Sequence, residues 1–157
     1  MVIRDWSSDV CSSDLISNMQ HTARSSLQEI AKTLRMAGYK LPTGHPAYRI
    51  NGDSLTIYFS DTKPADTVLY YLDQNMTLSA GHPNEWMPMY LMKKVNNAAP
   101  TIFSDVVRSI AYNVIDSATV EVAIEAQTIR ADDTWERDSG YRSFTSTERV
   151  NIRNLGI

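Results

Sequence analysis

The chain is expected to fold as an α+β domain: an N-terminal amphipathic helix, about 16–38, packed on a mainly antiparallel β-sheet. Three observations predict it. One apolar stripe of helical period runs through residues 16–38, and after Pro42 the chain breaks into short period-two segments divided by turn residues. The third is composition: 157 residues, 43% hydrophobic and 21% charged, suit one globular domain with a real core.

The first fifteen residues stand apart. Asp5 to Leu15 reads DWSSDVCSSDL, a polar run interrupted only by Trp6, Val10, Cys11 and Leu15, with no apolar period of either kind. The string resembles the conceptual translation of a short-read sequencing adapter over eleven consecutive residues. Residues 1–15 are therefore expected to be an artefact, disordered or loosely packed, and are set aside from fold reasoning. On this expectation the natural chain was cut near Ile16 and its own N-terminus replaced.

From Ile16 the apolar positions Met19, Ala23, Leu27, Ile30, Leu34 and Ala37 recur every three or four residues, drawing one stripe along a helix. Gln20, Arg24, Gln28, Lys32 and Arg35 lie on the wet side. Gly38 is a C-terminal cap, and Lys32 and Arg35 complement the negative end of the helix dipole. The start is poorly marked. Ser17 and Gln20 could form a weak capping box, but Ile16 already lies on the stripe, as if the helix were entered partway along.

Residues 39–157 read as a β-rich head of about six to eight strands. Asn51-Gly52-Asp53 joins Tyr48–Asn51 to an alternating strand at 55–59, a hairpin. Val68 to Leu72 continues the pattern, with a turn at 73–75 and a short strand at 76–79. Met87 to Val95 contains Pro88 and is assigned to an edge strand or irregular element. Val106 to Val114 is a further strand, Val120 to Ala126 is the clearest half-buried one, and strand character returns from Tyr141 to Arg153 after a polar loop.

Charge and motifs exclude more than they assign. Fifteen basic against eighteen acidic residues, net −3, leave no footprint for nucleic acid. One cysteine, Cys11, makes neither an internal disulfide nor a cysteine zinc site. No apolar run approaches the roughly 18 residues of a membrane span. His21, His45 and His82 have no metal-ligand spacing, and the two Gly-His-Pro strings read as turns. Asp132, Asp133, Glu136 and Asp138 form an acidic loop. A calcium site there is the weaker alternative, because the alternating ligands and closing glutamate of a helix-loop-helix site are missing. Asn75-Met76-Thr77 matches a glycosylation sequon. No Gly-x-Ser-x-Gly elbow and no phosphate-cradling glycine loop is present, so no enzyme, cofactor or metal is expected.

The helix closes on Leu34, Arg35, Met36, Ala37, Gly38 and Tyr39, preceded by Met19-Gln20 and Ser26 to Ala31. This resembles the end of the long N-terminal helix of type IV pilin-like proteins, especially minor pilins of the PilW kind and type II secretion pseudopilins. Arg149 to Leu155 is similar to the strand that closes many of them. The resemblance covers most of residues 16–157. It implies a structural and assembly subunit of a type IV pilus or a type II secretion filament, with other pilin or pseudopilin subunits as partners. It also implies a basic leader, a cleavage site and an apolar anchor in the bacterial inner membrane, none of which this sequence carries. The head would stand in the periplasm, presenting loops at 80–100 and 130–140. The alternative is a soluble ligand-binding β-domain of unknown ligand.

Overall fold

The computed structural model describes residues 6–42, 44–60, 66–74, 82, 86–131 and 140–153, with side chains from Ser13 onward. Among the described residues one helix, α1 (Trp6–Arg35), is followed by seven strands: β1 (Tyr48–Asn51), β2 (Ser54–Phe59), β3 (Asp66–Gln74), β4 (Met89–Val95), β5 (Thr101–Asp116), β6 (Thr119–Gln127) and β7 (Ser143–Asn151). The strands form one sheet in the order β1 to β7, each antiparallel to the next. The architecture is α+β with the sheet dominant.

The apolar stripe lies where its period puts it. Met19, Ala23, Leu27, Ile30, Leu34 and Ala37 are buried, and Ile16 is half-buried. Ser26, Ala31 and Thr33 are buried as well, so the contact face is wider than the stripe alone. The small residues Ala23, Ser26 and Ala31 let the helix backbone approach the sheet closely. The Ser26 hydroxyl meets that of Ser104 on β5 at 2.5 Å. The main core joins Leu27, Ile30 and Leu34 to Leu55, Ile57, Tyr70, Leu91, Val107, Ile124 and Val150. A smaller cluster seats Met19 and Ala23 on Ala126, with Ile16 and Phe144 beside it.

Strand alternation sorts the two faces. Along β6, Val120, Val122, Ile124 and Ala126 face the core, while Glu121 and Glu125 turn outward to Arg149 and Arg108. The β1–β2 hairpin closes on Gly52 at φ 62, a conformation that glycine adopts without steric cost at the first position of a tight hairpin turn.

Three expectations need correction. The helix was expected over 16–38, but it is already formed at Trp6, and Ser17 and Gln20 lie inside it instead of capping it. Neither proline nor glycine occurs before Gly38, and extending a packed helix adds one hydrogen bond per residue, so nothing in the polar stretch stops it. Leu15, expected to be loose, is buried; the surroundings of Cys11 lie outside the described side chains. At its other end α1 stops at Arg35, with Met36 to Lys40 forming the turn.

The second correction concerns Met87–Val95. β4 lies between β3 and β5 in the interior of the sheet, not at an edge. Pro88 precedes the strand by one residue, so the ladder loses no N–H donor. Within the 80–100 region expected as a presented loop, Met89 to Val95 is therefore paired strand. Third, β5 is sixteen residues long instead of nine, with register shifts against both neighbours. Between Val107 and Ser109 two steps along β5 oppose one along β6, which makes Arg108 the bulged residue. The strand expected at 76–79 lies outside the described residues.

Candidate functional site

The six-residue motif at the helix end divides into a buried half and a presented half. Amides of Met36 and Ala37 donate to the carbonyls of Thr33 and Leu34 at 3.0 and 3.1 Å, which tightens the last turn. Gly38 then takes φ 81 and donates to the Tyr58 carbonyl at 2.7 Å, while Ser60 donates to the Tyr39 carbonyl at 2.8 Å. The helix end is thereby tied to the β2 strand and its exit. Leu34, Ala37 and Gly38 are buried in this junction.

Arg35, Met36 and Tyr39 point outward. Met36 is 42% and Tyr39 38% exposed, and with Arg35 and Arg153 they line a notch of about 300 Å³. Arg35 forms an ion pair with Glu148 on β7, an exposed pair of the kind that contributes less than about 1 kcal/mol. Lys40 places its ammonium 5.2 Å from the Tyr39 ring centroid. Arg153 is exposed and has no carboxylate at ion-pair distance among the described residues. This end of the molecule offers exposed apolar surface from Met36 and Tyr39, flanked by the Arg35–Glu148 pair and by Arg153.

Between helix and sheet lies a polar network that the sequence did not announce. Lys93 on β4 donates to Glu29 Oε1 at 2.5 Å, and the Tyr70 hydroxyl donates to the same oxygen at 3.1 Å. Thr33 Oγ1 stands 2.8 Å from the Tyr70 hydroxyl and 3.1 Å from the Glu29 carbonyl. Burial pushes the Glu29 carboxyl up, but Lys93, Tyr70 and Lys32 together outweigh it and hold the carboxyl below its ordinary value. Burial and the nearby Glu29 charge push the Tyr70 phenol well above its ordinary value. Every member reaches another across the interface, so the network fixes where the helix sits on the sheet. Its signal in sequence was absent because Glu29, Tyr70 and Lys93 are far apart along the chain.

At the opposite end an aromatic stack closes the sheet. The Arg108 guanidinium stands 3.8 Å from the Trp86 ring centroid, and Tyr141 stacks on Trp86 at 5.6 Å. Gln127, fully buried, donates to the Trp86 carbonyl at 2.7 Å. His82 sits 5.2 Å from the Tyr141 ring with Nε2 3.1 Å from the Ile129 carbonyl. His45 contacts Tyr58 edge-on, and His21 is exposed on α1. Among the described residues no group of three or more His, Cys, Asp or Glu is placed to hold a metal. Asp132, Asp133, Glu136 and Asp138, like the sequon at 75–77, lie outside the described residues. Among the described residues no helix is long and apolar enough to cross a membrane.

Comparison with protein-family models, with curated proteins and with solved structures found no match to this chain.

Proposed function

We propose that this chain is the head and lower helix of a filament subunit of the type IV pilin-like class, a minor pilin or a type II secretion pseudopilin. One observation carries the reading. Among the described residues one N-terminal helix is docked through residues Met19 to Leu34, with Ala37 of the following turn, on one face of an antiparallel sheet. That is the arrangement needed by a subunit whose helix anchors a head and continues into contacts with neighbours. The Leu34 to Tyr39 motif supports it, since its buried members make the helix-to-head junction and its exposed members face outward. The work of such a protein is assembly: it occupies a defined position in a filament and presents its head, without turnover of a substrate.

The alternative, a ligand-binding β-domain, draws on a cavity of about 350 Å³ beside Met19, Trp86, Tyr141 and Phe144. That volume is at the low end for ligand sites, and Gln20, Arg142 and Ser143 share its walls, so the docked helix is the weightier observation.

Antibodies raised against residues 16–157 and used on the source organism test the proposal. The natural gene product should sediment with the inner membrane and also appear among sheared filaments or purified secretion assemblies. Recovery only as a soluble protein would overturn it.

A further inference from the structure

The two edges of the sheet differ. β1 at one edge is four residues long and β7 at the other is nine, and among the described residues β7 pairs only with β6. Exposed strand edges are ordinarily blunted by shortness, proline, lysine or a bulge, because unpaired N–H and C=O groups recruit other strands. β7 has none of these devices. Its sequence SFTSTERVN contains neither proline nor lysine, and its register against β6 runs from Ser143 to Asn151 without a shift. Its two charges are engaged within the copy, Glu148 by Arg35 and Arg149 by Glu121.

The register fixes which backbone groups face outward. At the two ends of the β6–β7 ladder the Thr128 amide donates to the Arg142 carbonyl at 2.9 Å and the Ile152 amide to the Ala118 carbonyl at 2.7 Å. Alternate residues of an antiparallel strand direct their N–H and C=O to the same neighbour. Phe144, Ser146, Glu148 and Val150 therefore turn theirs to β6, while Ser143, Thr145, Thr147, Arg149 and Asn151 turn theirs away from it. All five of the latter residues are exposed.

We propose that the outer edge of β7 pairs antiparallel with β7 of a second copy of this chain, about a two-fold axis at Thr147. Thr147 is the midpoint of the strand, so every residue finds a partner: Ser143 faces Asn151, Thr145 faces Arg149 and Thr147 faces its own counterpart. Each of these pairs exchanges two backbone hydrogen bonds, and no like charges meet. An axis at Glu148 sets that carboxylate against itself, and one at Arg149 does the same with the guanidinium, both unfavourable. An axis at Ser146 sets Phe144 against Glu148 and leaves Asn151 outside the ladder. The helix leaves room for the pairing. Ala23 of α1 sits on Ala126 of β6, with Ser26 reaching β5 on one side and the Arg24 guanidinium 5.3 Å from the Phe144 ring centroid of β7 on the other. With strands about 4.8 Å apart, the two helices stand roughly 14 Å apart across the axis. That exceeds the separation of about 8–10 Å at which helices touch. The contact is a closed, isologous one and does not rest on the filament reading.

Sedimentation equilibrium on the full chain over a concentration series tests this. The wild type should show a reversible monomer–dimer equilibrium, with nothing larger and little response to salt, because backbone hydrogen bonds carry the contact. Thr147→Lys sets two ammonium groups face to face across the axis and Thr147→Glu two carboxylates, so each should weaken dimerisation by about tenfold or more. An equimolar mixture of the two should recover it as a heterodimer. Thr145→Lys, opposite Arg149, should weaken association and Thr145→Glu should strengthen it, which checks the register. Thr147→Pro removes an outward N–H and no bond to β6, and should also abolish pairing. If the proline lowers the melting temperature, the charge variants at this exposed position decide. A wild type that stays monomeric, a species larger than a dimer, or a dimer that the Thr147 variants leave unchanged would overturn the proposal. Each of these results leaves the filament reading untouched, since that reading is tested by where the natural protein is found.

Discussion

Replacing Ile30 by alanine is expected to lower the free energy of unfolding by about 2–5 kcal/mol, the range for truncating a well-packed core aliphatic. Ile30 is fully buried in the cluster that joins α1 to the middle of the sheet, and the rigid strands opposite leave little room to collapse into the space. A domain of this size has only about 5–15 kcal/mol to lose, so the change removes a large share of it. Urea titration should show the midpoint moved down with its slope unchanged. Met36→Ala, one turn and a half further along and outside the core, should stay within about 0.5 kcal/mol of wild type. Equal losses at both positions would mean that the helix is not docked through the face described.

Lys93→Met should have the second largest effect and a distinctive dependence on pH. The substitution leaves the Glu29 carboxylate between helix and sheet without its ammonium partner, for a cost of about 1–3 kcal/mol at neutral pH. The lower half of that range is expected, because the Glu29 side chain keeps 19% of its exposure. In the wild type the folded-state carboxyl is held below its ordinary value of 4.5. The network's contribution is therefore present above that value and is lost as the pH falls through the lower folded value. With Lys93 gone, burial acts against only Tyr70 and Lys32, so the acid-side loss due to Glu29 should flatten. Unfolding midpoints measured at neutral pH and again below the carboxylate range decide it: the two proteins should differ most at neutral pH and converge in acid. A constant difference would assign Lys93 a packing role alone.

What could be read in the sequence was local, and what could not was long-range. The helix stripe, the Asn51-Gly52-Asp53 hairpin and the β6 alternation each depend on residues a few positions apart, and each lies where its spacing put it; Gly38 takes a left-handed conformation, but α1 ends three residues before it. Pro88 misled because the rule against proline applies to the ladder, and the strand starts one residue later. The start of α1 was missed because capping signals mark where a helix prefers to begin, while a packed helix can extend through indifferent sequence. β5 was judged too short because the stretch left out, Thr101 to Asp105, carries the register shifts against β4 and shows no period-two pattern. The notch was half legible: the Arg35-Met36-Tyr39 cluster stood out as a motif, but nothing placed Arg153 beside it. The Glu29 network and the Arg108 stack on Trp86 are products of packing among α1, β3, β4 and β5, and no short window contains them.

The proposal of a filament subunit is tested most directly by sequencing the natural locus through the position of Leu15. The coding sequence upstream of Ile16 should omit DWSSDVCSSDL. In its place it should continue the helix through an apolar stretch of about 20 residues, preceded by a Gly-Phe-Thr-like cleavage site and a short basic leader. A locus that encodes DWSSDVCSSDL itself, or one that enters Ile16 without an apolar stretch and cleavage site, would contradict the assignment.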